Sequence, residues 1–382
     1  MRNKFLKLLQ HPITAIVTAV LIGLLVGGVI LAASGYNTVE AYGAILTGIF
    51  ANPKNVAQVV VNAVPIILTG LSVSFAFKTG LFNIGAEGQF IMGALVAALV
   101  GFYLPLPVGI HPLVILLLAF IVGGLLGGLA GYLKNRFGIH EVISTIMLNW
   151  IAFYFNNYIV GLPSVKVQGT LHSPEILDTA KITFLTTEWK RSPEGREFLT
   201  NNKFLGDIFK TDLGWGIIIA IIVAIILWYV LKNTVSGFHL RSVGLNKYAA
   251  EFSGIPVQKS VFRSMFIAGG VAALGGAILV MTSTNTVSIL GGQEGYGWDG
   301  ISVSLIANAN PLANLFTGVL FSGLRFGGTL MQSKIGAPTE IINIMIGVIV
   351  LAIAIAPVLP RISEYLKKRQ ESKDLKKAGD KK

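Results

Sequence analysis

The chain contains no cysteine, which excludes disulfides, thiolate nucleophiles and cysteine-ligated metals. Charge is scarce as well. Only 13% of its 382 residues are charged against 53% hydrophobic, a balance that excludes an ordinary soluble domain and places the chain in a bilayer. The five histidines (His11, His111, His140, His172, His239) fall at helix ends or in loops, with no spacing that converges on a metal. His140-Glu141 is not part of an HExxH pattern, and no P-loop, GxSxG or kinase signature occurs, so the chain does not hydrolyse ATP itself. Any energy source lies on a partner or in an ion gradient.

Long apolar runs and glycine are abundant. Forty-four glycines suit helices that approach closely in lipid, where small residues set the contact distance. Apolar segments of bilayer length lie near 13–33, 56–77, 84–103, 113–133, 141–161, 214–231, 264–281, 311–327 and 340–359. The first follows Arg2, Lys4 and Lys7 and could pass for a secretory signal ending near Ser34; its length and the later spans make it a retained helix. The net charge of +12 sits in short loops and at the termini, as the positive-inside rule requires, rather than on a nucleic-acid surface. Lys134, Arg136 and the 232–263 loop mark the inside, and the tail 361–382 reads as a solvated basic segment on the same face. Residues 162–212 carry seven basic and seven acidic side chains and suit the outside. Nine spans would leave the basic tail outside, so a further broken or re-entrant element is expected within 282–310, or more loosely 282–330, giving about ten elements. Both termini are then cytoplasmic.

One stretch interrupts this apolar pattern sharply. Lys78–Gln89 reads KTGLFNIGAEGQ between two spans, and a carboxylate at Glu87 is expensive at bilayer depth unless it lines a cavity or has a partner. Irregular backbone there survives only against protein or a water-filled path. Gly85-Ala-Glu-Gly88 is echoed weakly by Gly297-Trp-Asp-Gly300, and paired glycine-broken segments point to a transport site. Asp299 is singled out by that echo. In the loop that follows the 214–231 span, Asn246 can cap a short helix Lys247–Phe252 that Gly254-Ile-Pro256 stops. Its small residues Ala249 and Ala250 could enter a partner's groove, although from the residues alone an ordinary solvated loop is the simpler reading.

Taken together, FKTGLFNIGAEGQ (77–89), HEVISTIMLNWIA (140–152), GFHLRSVGLNKYAAEFSGI (237–255), the glycine-rich segment 295–328 and Gly336-Ala-Pro-Thr-Glu340 resemble one family. It is the permease family of bacterial ABC importers for simple sugars and nucleosides, in its nucleoside branch. The resemblance covers nearly the whole chain except the tail and the 162–212 loop. It implies an all-α integral membrane protein with the type II importer fold and about ten transmembrane helices, some of them broken. Residues 1–360 would be the permease domain, 162–212 its extracytoplasmic loop and 237–258 its cytoplasmic coupling loop. Expected partners are a second related permease, cytoplasmic ATPase subunits that hold the ATP, and an external substrate-binding lipoprotein. The chain itself needs no cofactor. Leu240–Gly254 matches the family's ATPase-coupling segment, with Arg241, Gly244, Asn246, Ala249, Ala250, Glu251 and Gly254 as candidates. Trp298 stands where Phe is common, and Asn308-Ala-Asn310 replaces a more glycine-rich turn, which bears on substrate preference rather than on the fold.

The candidate pathway residues are Phe82, Asn83, Glu87, Gln89, Asn149, Trp298 and Asp299. Amides and a carboxylate could hydrogen-bond a ribose or base edge; equally, Glu87 could pair with Lys78 or cap a half-helix. Phe82 could stack on a base or simply pack, and Asn149 could be interhelical glue. The rival function is an ion-coupled secondary transporter with Glu87 and Asp299 as ion sites, against which the spans carry few acids. A membrane enzyme would need a convergent constellation that the sequence does not show.

Overall fold

The computed structural model describes residues 12–355, and over that range the chain is helical. Among the described residues there is no strand, only two isolated bridges, His172 with Ser288 and Thr183 with Gly214. The basic leader, the end of the last predicted span and the tail 361–382 lie outside the described residues.

The order is α1 Pro12–Ala33, α2 Thr38–Phe50, α3 Pro53–Phe77, α4 Ala86–Tyr103, α5 Ile110–Phe137 and α6 Glu141–Gly161. Three short helices follow, α7 Thr187–Arg191, α8 Pro193–Asn201 and α9 Lys203–Phe209. Then come α10 Gly216–Asn233, α11 Val235–Leu245, α12 Lys247–Phe252, and α13 Val257–Leu279, which ends in a π turn over Val280–Thr284. The chain closes with α14 Tyr296–Ile306, α15 Pro311–Ile335 and α16 Glu340–Ile355. Each of the nine predicted spans coincides with a helix, and α3, α4, α5, α10 and α13 with its π turn are long and apolar enough to cross a membrane.

Three departures from expectation have physical causes. Beyond the last residues of that π turn, the 282–310 region holds only the 11-residue α14, a rise of about 16 Å where a bilayer core needs about 30 Å. It is a half-helix. The excursion 162–212 is not a plain loop, because local caps organise it. Thr186 accepts from the Trp189 amide (3.2 Å) and Ser192 from that of Gly195 (3.1 Å), with Pro193 at the first position of α8. Helix α2 was not anticipated, since its 13 residues fall below spanning length.

Residues 46–326 form one compact unit, and the described parts of 1–45 and 327–382 form the other. In the smaller unit α1 packs on α16 at glycine. A methyl group on Gly23 would lie 2.1 Å from Ile349 Cγ1. In the larger unit α13 is the central helix, packed by α3, α4 and α5. Its Gly276 sits against the Phe90 carbonyl of α4, where a Cβ would come within 2.0 Å of oxygen. Lipid tails are as apolar as the side chains they would release, so such helices associate through close van der Waals contact, which small residues permit. The α5–α6 turn is closed by Gly138 in the left-handed region (φ 68°) and by an ion pair between Lys134 and Glu141.

Candidate functional site

Lys78–Gly85 leads from the end of α3 to the start of α4 inside the larger unit. Asn83 and Gln89 form a closed amide pair. Asn83 Nδ2 donates to Gln89 Oε1 (2.8 Å) and to Ser72 Oγ (2.9 Å), while its Oδ1 accepts from Gln89 Nε2 (3.2 Å) and the Gly85 amide (3.1 Å). Both side chains are buried. Asn83 has no amide hydrogen left to offer a ligand.

Two helix N-termini meet here, and neither has a cap of its own. Gly85 and Gly295 stand at the capping positions of α4 and α14, with no side chain to satisfy the first amides. Side chains from other helices supply what is missing. Asn149 of α6 accepts from the Gly88 amide (2.8 Å) and donates to the Ile84 carbonyl (2.9 Å). Glu87 of α4 accepts from the Gly295 amide on Oε1 (2.8 Å) and from the Gly297 amide on Oε2 (2.6 Å). Its carboxylate therefore meets the positive end of α14, the arrangement that a helix dipole favours. Glu87 is 0% exposed. Lys78, the partner considered from sequence, instead reaches the Asn308 carbonyl (3.4 Å).

The approach is close because it has to be. A Cβ on Gly297 would lie 2.3 Å from the Glu87 amide nitrogen. Phe90 stacks on Tyr296 (centroids 4.8 Å apart), and Thr69 Oγ1 donates to the Tyr296 carbonyl (2.8 Å). Thus the two echoing glycine motifs are brought into contact, but their acids act differently. Asp299 is buried and accepts from Arg325 on α15 (2.6 Å). Arg325 went unremarked in the sequence. The available signal was a lone guanidinium in an apolar helix, which calls for a buried acid. Of the other candidates, Phe82 is half-buried edge-on to Phe77 (6.0 Å). Trp298 is 43% exposed, its indole donating to Gln293 Oε1 (3.1 Å).

The second candidate region touches the first. Helix α12 has the predicted limits, with Asn246 Oδ1 accepting from the Tyr248 (3.0 Å) and Ala249 (3.1 Å) amides. It ends in a Schellman pair, Gly254 N–H to Glu251 O (2.9 Å) and Ile255 N–H to Ala250 O (3.0 Å), with Gly254 at φ 78°. Ala249 faces outward, but Ala250 does not. It is buried beside Ile255 in a cluster with Leu81 and Met265, so the helix offers one small residue rather than two. Arg241 and Glu251 are exposed, and Leu245 and Phe252 are almost bare at 89% and 96%. Gly244 rests on the turn that begins the polar run. A Cβ there would lie 2.3 Å from the Lys78 carbonyl, and one on Gly80 would lie 3.2 Å from the Gly244 Cα.

The family described as branched-chain amino acid transport system, permease component, matches residues 55–354. The chain belongs to that family. This permease is 35% identical over 366 residues to the guanosine ABC transporter permease protein NupP of Bacillus subtilis, covering 95% of this chain and 99% of that one. It is 30% identical over 385 residues to the nucleoside ABC transporter permease protein NupB of Lactococcus lactis, covering both chains fully. A glucose ABC transporter permease protein of Haloferax volcanii is 29% identical over 88% of this permease and 85% of its own length. No solved structure matches the permease. Family and helices together make it an all-α, multi-pass membrane protein and a transport subunit rather than an enzyme.

Proposed function

We propose that this permease is the membrane subunit of an ATP-driven importer of nucleosides. ATP is bound and hydrolysed on separate cytoplasmic ATPase subunits, a second related permease completes the path, and an extracytoplasmic lipoprotein delivers the ligand. Both termini and residues 237–258 lie on the cytoplasmic side. The substrate class rests on relatives whose names say guanosine and nucleoside.

The observation that carries the mechanism is the seat of Gly244 on the Lys78–Gly80 turn. An ATPase that grips the bare Leu245 and Phe252 pushes on α11 and α12, and backbone contact passes the displacement to the turn. From there Asn83, Gln89, Asn149 and Glu87 join it to the N-termini of α4 and α14. In this reading those four side chains, with Phe82, hold the N-termini of α4 and α14, Asp299 is anchored by Arg325, and Trp298 faces the path. A packed chain of this kind moves as discrete elements rather than deforming smoothly. The ion-coupled alternative has less support, because the Glu87 carboxylate is already held by two backbone amides.

The test is uptake by vesicles holding the complete complex, offered labelled guanosine, uridine or glucose. Nucleoside uptake that needs ATP and survives collapse of the proton gradient supports the proposal. Uptake that follows the ion gradient and ignores ATP overturns it, and uptake of glucose alone removes the substrate class.

A further inference from the structure

Helix α6 carries an aromatic stripe that the packing of the larger unit does not use. Trp150, Tyr154 and Tyr158 recur every fourth residue on its outward face, exposed by 45%, 64% and 66%. Trp150 and Tyr154 lie stacked with centroids 6.0 Å apart. With Met147, Ile151 and Phe155 they line an open groove of about 490 Å³, within the range of small-molecule sites. Trp150 stands about 14 Å from one end of α6 and about 16 Å from the other at 1.5 Å per residue. This is mid-span, not the interfacial belt where tryptophan usually resides.

Irregular backbone is tied to α6 beside this face. Asn157, one residue from Tyr158, donates to the Leu290 carbonyl (2.9 Å) and accepts from its amide (2.8 Å), while Asn156 donates to the Ser288 carbonyl (3.1 Å). These bonds strap α6 to the non-helical stretch 285–295. That stretch descends from the level of Asn157 to Glu87, about 24 Å along α4 from Tyr103. Its Gly291 and Gly292 are exposed. Exposed irregular backbone within a membrane is tolerated where it borders water, not hydrocarbon. The stretch leads into α14, where the indole nitrogen of Trp298 is tied to Gln293 of that stretch.

We propose that Trp150 and Tyr154 of α6, the helix strapped to the 285–295 stretch by Asn156 and Asn157, form with Trp298 a stacking track for the base of the passing nucleoside. This rests on the importer reading above. Aromatic faces stack on any base without reading its edge, a sequence-tolerant contact. Such a surface lets a ligand slide from ring to ring without a tight site that would delay release.

The absence of native cysteine makes the test direct. Tyr154→Cys and, as a control expected to face lipid, Leu125→Cys on α5 (58% exposed) are placed in the complete complex. Each is treated with a charged, water-soluble methanethiosulfonate, and labelling is read on this chain. Modification of the Tyr154→Cys chain, slowed by guanosine, with Leu125→Cys unreactive, is the expected result. A Tyr154→Cys chain as unreactive as the control, or one that links to the sister permease regardless of guanosine, overturns the track. In transport, Trp150→Leu should raise the guanosine KM about fivefold or more, while Trp150→Phe should stay near the parent; equal KM values for all three would also overturn it. If the parent complex carries no nucleoside, the substrate reading fails, while the labelling still reports whether this face is aqueous.

Discussion

Replacing Glu87 by Gln tests the junction where the N-termini of α4 and α14 meet. The change is nearly isosteric, so packing against Gly297 and Phe90 is kept, and the effect is electrostatic. Glu87 accepts from two backbone amides at 2.8 and 2.6 Å with both oxygens. A glutamine keeps one acceptor and turns an NH2 group toward the other amide. One buried N–H then loses its partner, at about 1–3 kcal/mol, and the remaining bond loses its charge assistance. Loss of the anion at the α14 N-terminus adds about 0.5–1 kcal/mol. The total is about 2–4 kcal/mol, which in a unit of this size lowers the melting temperature by several degrees. The assay is thermal unfolding of the purified complex in detergent, paired with uptake kinetics for guanosine and uridine. Lowered stability with an unchanged KM for both is the expected result. An unchanged melting temperature with a KM altered for one nucleoside would falsify the trans-capping role and return Glu87 to the path lining.

Two further perturbations probe the same chain of contacts. Gly244→Val places a side chain where a single Cβ already falls 2.3 Å from the Lys78 carbonyl; uptake should fall at least about fivefold while the ATPase still co-purifies. Unchanged uptake would place the coupling path elsewhere. Arg325→Gln should destabilise by about 1–3 kcal/mol, because Asp299 is left buried without its cation while the Arg325 side chain, 39% exposed, is partly screened by solvent. The pair Arg325→Gln with Asp299→Asn should recover much of that loss; a double variant no better than the single would show that the two groups do not act together.

Local chemistry explains what was legible in advance. The limits of α12 follow from Asn246 and Gly254, a capping amide and a left-handed glycine that act within a few residues. The nine apolar segments follow from composition over about twenty residues, the length a bilayer crossing needs. Glycine-rich 282–310 announces a break, but not that an eleven-residue helix would occupy its end. The short helices of 162–212 were signalled by Thr186, Ser192 and Pro193, yet a balanced run of charge masks such caps. Ala250 shows the limit at a single position. Its size invites a partner, while its place on a one-and-a-half-turn helix turns it inward.

The amino-acid sequence by itself determined that this is a membrane protein, where its apolar helices lie, and that Glu87 needed a partner. Each is a local matter of hydropathy, capping or charge, carried by neighbouring residues. Only the tertiary structure decided what that partner is. Glu87 and the amides of Gly295 and Gly297 are separated by more than two hundred positions, and nothing along the chain distinguishes a carboxylate that lines a path from one that caps a distant helix. The assignments of Asn149 to Gly88, Arg325 to Asp299 and Gly244 to Lys78 are of the same kind. They depend on which surfaces the glycine contacts allow to meet, a property of packed helices rather than of any segment alone.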